Sequence, residues 1–361
     1  MYNYPMNILG IETSCDETAA SVVKNGTEIL SNVVATSAEM HVKTGGIIPE
    51  QAARQQVRSI IPVIEEALIK AFGSPITNYQ SLITKIDAIA VTIGPGLIGS
   101  LLVGVETAKT LSFVWKKPIV PVNHLVGHIY ANWLVTDKRQ PTTNLPKFPA
   151  LVLVVSGGHT DLVLMKNHGI FEWLGGTRDD AAGESFDKTA RLLGLPYPGG
   201  PSISAESEKY FNQQLTVDNL QLKLFPRPLI HEKNFDWSFS GLKTAVLREL
   251  TNQPINKTSI PKFAAEIQEA IIDCLVEKSI RAMKTYKPKS FLLGGGVAAN
   301  KRLREKFLKR IKSEKLQVFH VAAPGNLCTD NAAYIASAAF FNFKPVNWKK
   351  IFANPQFTIM G

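Results

Sequence analysis

Apolar and polar positions along the chain fall into short strand-like runs broken by glycine turns, with longer helix-like periods between them. Ile8-Leu9-Gly10-Ile11 runs into the polar turn Glu12-Thr13-Ser14-Cys15-Asp16-Glu17 and then into Ala20-Ser21-Val22-Val23. Leu151 to Ser156, the turn Gly157-Gly158-His159-Thr160 and Leu162-Val163-Leu164 repeat that order. Each copy continues through a short turn, Asn25-Gly26 or Asn167-His168-Gly169, into a third strand candidate, Thr27 to Val34 or Ile170 to Leu174. A three-strand meander that occurs twice, with helix patterns after each copy, predicts a duplicated α/β lobe, because solenoid repeats are far shorter. A ligand-holding cleft is expected between the lobes.

Between the copies, strand-like Ile86 to Ile93 leads through a glycine turn into an apolar helix, Ser100 to Trp115, and strand-like Ile119 to Val122 then reaches Asn123-His124, a βαβ pattern. The polar, proline-containing stretch Asp137 to Lys147 marks a lobe boundary. The expected domains are 1–140, completed by a C-terminal segment 330–361, and 141–329. The last helix, Asn331 to Phe341, is expected to pack back on the first lobe. Lys301, Arg302, Arg304, Lys306, Lys309, Arg310 and Lys312 form the densest basic segment, and Leu303, Phe307 and Ile311 recur within it as a helix's buried stripe.

Composition narrows the class. With 361 residues, 45% apolar and 19% charged, the chain suits two soluble lobes, and no apolar run approaches a bilayer span. Met1 to Asn7 lacks a basic region followed by an apolar stretch, and the three cysteines, Cys15, Cys274 and Cys328, make no CxxC pair, so reduced thiols and a cytoplasmic location are expected. The net charge of +10 favours an anionic partner such as RNA.

His124 and His128 stand four apart, a spacing that places two imidazoles on one helix face and lets them share a metal. A peptidase of the HExxH kind needs glutamate after the first histidine, and Leu125 occupies that position, which disfavours peptide hydrolysis. Asp330 is a candidate third ligand, although an aspartate before Ala332 to Ala336 also suits an N-cap. Such a donor set accommodates iron, zinc or manganese. Gly94-Pro95-Gly96-Leu97-Ile98-Gly99 matches the dinucleotide fingerprint literally, but the next strand ends in Val122-Asn123-His124 without the acidic residue for a ribose. Gly294-Gly295-Gly296 after an apolar strand, Ser156-Gly157-Gly158 and Pro198-Gly199-Gly200 form turns with free backbone N–H groups, and Gly183 to Lys188 adds a polar helix start; together they suggest one nucleotide cradle.

These segments together resemble the Kae1/TsaD family, the tRNA N6-adenosine threonylcarbamoyltransferases, formerly called O-sialoglycoprotein endopeptidases. The resemblance rests on Gly10 to Thr18, Gly45-Gly46-Ile47-Ile48-Pro49-Glu50, Gly94 to Leu97, Asn123 to His128, Val155 to Thr160, Asp179 to Glu184 with Phe186-Asp187-Lys188, Phe239 to Thr244, Gly294 to Asn300 and Cys328 to Asn331. The Gly45 to Glu50 stretch resembles the bacterial branch.

The resemblance implies an ASKHA fold, the actin, Hsp70 and sugar-kinase architecture. It implies His124, His128 and Asp330 as ligands of one divalent metal, iron(II) first and zinc second, with Val154, Val155, Ser156, Gly157, Gly158, Asp187, Gly200 and Asn300 binding L-threonylcarbamoyladenylate. The implied product is N6-threonylcarbamoyladenosine at position 37 of tRNAs reading codons that begin with A. Implied partners are the tRNA anticodon stem-loop, a shorter ASKHA paralogue of TsaB type and a small P-loop ATPase of TsaE type. Asp16 or Glu17 is the candidate base, Asp16 foremost. Lys43, Arg54, Arg58 and the basic helix after Asn300 are candidate tRNA contacts. An ASKHA ATPase or small-molecule kinase is the alternative, recognisable by tRNA-independent ATP turnover.

Overall fold

The computed structural model describes residues 5–37, 46–73, 79–135, 145–213, 222–252, 256 and 258–361. Lys43 and Gly45 lie outside the described residues. The chain divides into two compact units, one of Met1–Pro146, His168–Ile170 and Ala323–Gly361, the other of Lys147–Asn167 and Phe171–Ala322.

The first unit holds β1 (Asn7–Glu12), β2 (Thr18–Lys24), β3 (Glu28–Ala35), β4 (Ala88–Gly94) and β5 (Ile119–Asn123) in the order β3-β2-β1-β4-β5. β1 to β3 form an antiparallel meander, and β4 and β5 add parallel strands beside β1. The second unit holds β6 (Ala150–Val155), β7 (Thr160–Asn167), β8 (Ile170–Gly176), β9 (Ser290–Gly294) and β10 (Phe319–Ala322) in the order β10-β9-β6-β7-β8. Here too β6 runs antiparallel to β7 and parallel to β9, with β10 parallel beyond it. The duplicated meander expected from the polar pattern is therefore present strand for strand. A dinucleotide-binding unit is built of parallel βαβαβ halves, whereas β1 to β3 here form an antiparallel meander. The Gly94 to Gly99 segment instead serves as a packing turn, with Leu97 N–H donating to Ser14 O at 2.8 Å.

Side chains alternate across a strand, so β1 faces two ways. Leu9 and Ile11 join Ile60 and Ile64 of α1 (Pro49–Phe72) and Val105 in one apolar core. After the short α2 (Tyr79–Ile83), that Val105 belongs to α3 (Ile98–Trp115). Gly10 faces the opposite side, where a Cβ would lie 2.2 Å from Ala332 O. That side is covered by α4 (His124–Tyr130) and by the chain's last α-helix, Ala333–Phe341, which packs across β1, β2 and β4 and against α4. Glu12 has the same parity as Gly10, and its buried carboxylate is delivered to that side.

The second unit is built on α5 (Ala182–Leu192), α6 (Gly199–Gln213), α7 (Ser240–Asn252), α8 (Ile260–Tyr286) and α9 (Lys301–Ser313), which leaves α10 for Ala333–Phe341. α8 is its spine and packs against α6, β6 and α9. On α9, Leu303, Phe307 and Ile311 are the buried stripe that the spacing predicts. The basic residues are not a free face, however. Arg302 Nε donates to Glu269 at 2.7 Å, Lys306 Nζ pairs with Glu269 at 2.5 Å and also with Asp273, and Arg310 pairs with Glu277 at 3.0 Å. Positions four apart on α9 thus meet acids four apart on α8, and the charges of Arg302, Lys306 and Arg310 are balanced inside the unit.

Candidate functional site

The metal candidates are assembled by local helix chemistry within the first unit. Asn123 caps α4, its Oδ1 accepting from Leu125 N–H at 2.9 Å and Val126 N–H at 3.3 Å. His124 and His128 follow one turn apart, with ring centroids separated by 4.6 Å. Gly127 lies between them. A Cβ there would stand 2.7 Å from Ile335 Cδ1 and Tyr334 Cδ2, so its missing side chain is what lets α4 and α10 close together.

Asp330 precedes α10, but it does not cap it. Asn331 does, its Oδ1 accepting from Ala333 N–H at 3.1 Å and Tyr334 N–H at 3.3 Å. Asp330 is left to face the histidines, with Oδ1 at 3.4 Å from His128 Nε2 and 3.7 Å from His124 Nε2, and it accepts from Tyr334 O–H at 3.4 Å. One donor atom from each of His124, His128 and Asp330 lies within 4.8 Å of the others. Two imidazole nitrogens and a carboxylate at this spacing fit a divalent metal ion.

The electrostatics agree with such a site. Burial opposes a charge on His124, but Glu12 and Asp330 outweigh it and hold its pKa at about 9. Burial and the charge of His124 push His128 down, so one imidazole of the pair stays neutral. Burial also works against the Asp330 carboxylate, yet the two histidines lower its pKa to about 2. In the turn after β1, burial, then Asp330 and Asp16, raise Glu17 to about 10.

The candidate substrate residues gather in the second unit. Val154 and Val155 are fully buried in β6, so only their backbone is available to a ligand. After them Ser156 N–H bonds His159 O at 2.9 Å and Ser156 O accepts from Gly183 N–H at 3.1 Å, which seats the start of α5 on the turn. Among the described residues, a Cβ on Gly157, Gly158 or Gly200 would meet no atom within 4 Å, so the chain is open at each of these glycines. Gly295, at φ +89°, lies over Val155 O, where a Cβ would approach to 2.4 Å. The Gly296–Ala299 turn that follows also packs against α5.

Asp187 ties α5 to α6 by accepting from Gly199 N–H at 2.7 Å. Asn300 is engaged on every side: its Oδ1 caps α9 through Leu303 N–H at 2.9 Å, and its amide donates to Ser204 Oγ and Gln268 Oε1, both at 2.9 Å. A pocket of about 250 Å³ opens beside it, lined by Ser204, Phe211, Gln268, Asn300 and Arg302 among others.

The family model of TsaD, tRNA N6-adenosine threonylcarbamoyltransferase, matches residues 28–337, a span that contains the histidine pair, Asp330 and every glycine turn of the second unit. The chain belongs to this family. It is 50% identical over 341 residues to the tRNA N6-adenosine threonylcarbamoyltransferase of Bacillus subtilis (strain 168), covering 94% of this chain and 91% of that one. It is 47% identical over 357 residues to the enzyme of the same name from Thermomicrobium roseum, covering 93% and 92%. Among solved structures, HypF of T. kodakarensis matches with a TM-score of 0.59 and 12% identity, over 94% of this chain and 47% of HypF. A full-length HypF in its phosphate- and nucleotide-bound form matches with a TM-score of 0.55 and 12% identity, over 93% and 55%. These two likenesses show a shared fold, the ASKHA architecture of the family.

Three side chains around the cluster escape a reading of spacing: Glu12, Ser14 and Tyr334. Glu12 Oε2 lies 3.0 Å and Ser14 Oγ 3.1 Å from His124 Nδ1, and the Tyr334 ring lies 4.8 Å from that of His128. The signal for Glu12 was a carboxylate directly after the apolar run Ile8 to Ile11, on the face opposite Leu9 and Ile11. For the tRNA candidates, Arg54 is paired with Glu50 at 2.8 Å and Arg58 is exposed.

Proposed function

We propose that the chain transfers the threonylcarbamoyl group of L-threonylcarbamoyladenylate to N6 of adenosine 37 in tRNAs reading codons that begin with A, giving N6-threonylcarbamoyladenosine and AMP. The observation that carries this is the family match over residues 28–337, joined to about half-identical relatives of that name along nearly their whole length. It displaces the alternative of an ASKHA ATPase or kinase.

In this reaction the exocyclic amine attacks the carbamoyl carbon, the bond from that carbon to the phosphate oxygen breaks, AMP leaves with the electron pair and the amine gives up a proton. The leaving group is good and the nucleophile poor, so positioning and stabilisation of the developing oxyanion dominate. The open backbone at Gly157, Gly158 and Gly200 suits an anionic ligand, because no Cβ shields the main chain. Val154 and Val155 contribute main chain only, and Asp187 and Asn300 hold the turns and helices around the adenylate. Of the two carboxyl groups in the turn after β1, Asp16 is the first candidate to take the amine proton and Glu17 the second. His124, His128 and Asp330 would hold the divalent metal, iron(II) before zinc, which when bound supplies a Lewis acid for an anionic oxygen of the substrate.

The partners are tRNA, gripped at its anticodon stem-loop, a shorter paralogue of the same fold and a small P-loop ATPase, with the cytoplasm as the compartment. The net charge of +10 supports the first. An apolar surface supports the second: Val57 and Ile61 on α1, and Ile98 and Leu102 on α3, are one turn apart in each helix and 44–64% exposed. The helices meet there, since a Cβ on Gly99 would lie 3.2 Å from Ala53 Cβ. Among the described residues no helix is long and apolar enough to cross a membrane.

The test mixes the purified chain with both protein partners, ATP, threonine, bicarbonate and unmodified tRNA, then digests the tRNA and measures the modified nucleoside by mass spectrometry. Product that depends on this chain is the expected result. Its absence from a set whose partners are active with a relative's enzyme overturns the assignment.

A further inference from the structure

We infer that Glu12 is the positioning residue of the metal site: its carboxylate holds the Nδ1–H tautomer of His124 and so commits Nε2 to the metal. The inference rests on His124 being a ligand, as proposed above. Glu12 ends β1 with no solvent exposure. Both of its oxygens are fully engaged: Oε1 accepts from Ser14 N–H at 2.6 Å, and Oε2 accepts from Thr92 O–H at 2.6 Å and lies 3.0 Å from His124 Nδ1. A carboxylate can only accept, so the nitrogen facing it carries the proton. The other nitrogen, Nε2, is the one turned toward Asp330 Oδ1.

The arrangement has a reason. A buried carboxylate without donors is very costly, and here donors come from the turn, from the neighbouring parallel strand and from the histidine. Ser14 and Thr92 are fixed by the fold, so the direction of Glu12 Oε2 is set before any ion arrives. An imidazole that donates its second N–H to a carboxylate is oriented and made a stronger ligand. Among the described residues His128 has no such partner. Its Nδ1 is buried and unpaired, which makes the site asymmetric, with one tuned and one untuned imidazole. Glu12 is therefore expected to govern metal affinity through His124, without touching substrate.

The experiment uses the full chain, stripped of metal and titrated with Co²⁺ against a chromophoric chelator, with thermal unfolding of each metal-free variant followed in parallel. The unsubstituted chain is expected to bind one Co²⁺ and Asp330→Ala to lose it; no binding by the unsubstituted chain would sink the metal assignment itself. Given binding, Glu12→Gln is expected to weaken it roughly 10- to 100-fold. Thr92→Val, which removes one of the donors that fix Glu12 Oε2 but keeps the carboxylate, should weaken it less than Glu12→Gln does. Glu12→Gln binding as tightly as the unsubstituted chain overturns the role of Glu12. Should Glu12→Gln fail to unfold cooperatively, long-range ¹H–¹⁵N spectra of the Zn²⁺-loaded unsubstituted chain decide. A protonated His124 Nδ1 supports the inference, and a protonated Nε2 overturns it.

Discussion

Asn331 Oδ1 accepts the N–H of Ala333 at 3.1 Å and that of Tyr334 at 3.3 Å, and this cap decides what the neighbouring Asp330 is for. A helix start needs one side-chain acceptor, and with Asn331 in that place the carboxylate one residue earlier turns toward His124 and His128. The two residues should therefore separate stability from metal binding. Asn331→Ala is expected to lower the unfolding free energy by about 1 kcal/mol while the folded protein still takes up a divalent ion. Asp330→Asn should abolish uptake and product formation together. Denaturant titration and metal analysis of both variants check this; an Asp330→Asn protein that keeps its metal contradicts it.

Much of this was legible along the chain, and the parts that were not have physical reasons. The meander could be read because each strand's polarity and its turn are local properties, as at Ile8 to Glu17 and Leu151 to Thr160. The buried stripe Leu303, Phe307 and Ile311 could be read because helical periodicity is local too. The partners of Arg302, Lys306 and Arg310 could not, because Glu269, Asp273 and Glu277 lie 33 residues earlier in the Arg302, Lys306 and Arg310 pairings, and only the packing of α9 on α8 brings them opposite. Spacing likewise found the histidine pair but left Asp330 suited to either a ligand or an N-cap, since capping depends on backbone direction at the helix start. Glu12 was hidden because a turn-flanking acid reads as a solvated one until the sheet buries it.

The Glu269 network should set an acid limit to the second unit. Burial alone would raise the pKa of Glu269, but Arg302 and Lys306 outweigh it and hold it below the ordinary 4.5. A carboxylate depressed in the fold stabilises it above its ordinary pKa, and that contribution fades as the pH falls through the folded value. Glu269→Gln is thus expected to cost about 2 kcal/mol at neutral pH and to flatten the loss of stability below about pH 4.5. Because the Arg302 side chain is 30% exposed, solvent screens part of the pair and the cost stays below that of a fully buried one. Unfolding curves at a series of pH values, with the same acid slope in both proteins as the contrary result, test it.

Gly127 offers a test of how tightly the metal cluster depends on helix packing. A valine there has to displace Tyr334 and Ile335, whose side chains stand 2.7 Å from where its Cβ would be. The overpacking is expected to cost about 1–3 kcal/mol and to move Asp330, which lies just before α10, away from the histidines. Metal affinity should fall even at temperatures where the variant remains folded. An unchanged affinity with lowered stability would show that Asp330 is held in place by something other than the contact between α4 and α10.

The apolar positions on α1 and α3 give the last prediction, for the paralogue. Val57, Ile61, Ile98 and Leu102 contribute little to the first unit's own core, since each is at least 44% exposed. Aspartate at Ile61 and Leu102 should therefore leave stability within about 0.5 kcal/mol. In a complex with a partner of the same fold these side chains would be buried, each contributing about 1.5–3 kcal/mol. Losing two of them and burying two carboxylates instead should weaken association by more than about 100-fold. Metal binding by the isolated chain should not change, because neither position adjoins the histidines. Calorimetric titration against the shorter paralogue reads the loss directly, and product formation in the reconstituted reaction should fall with it. Undiminished association of the doubly substituted chain would place the partner on another surface.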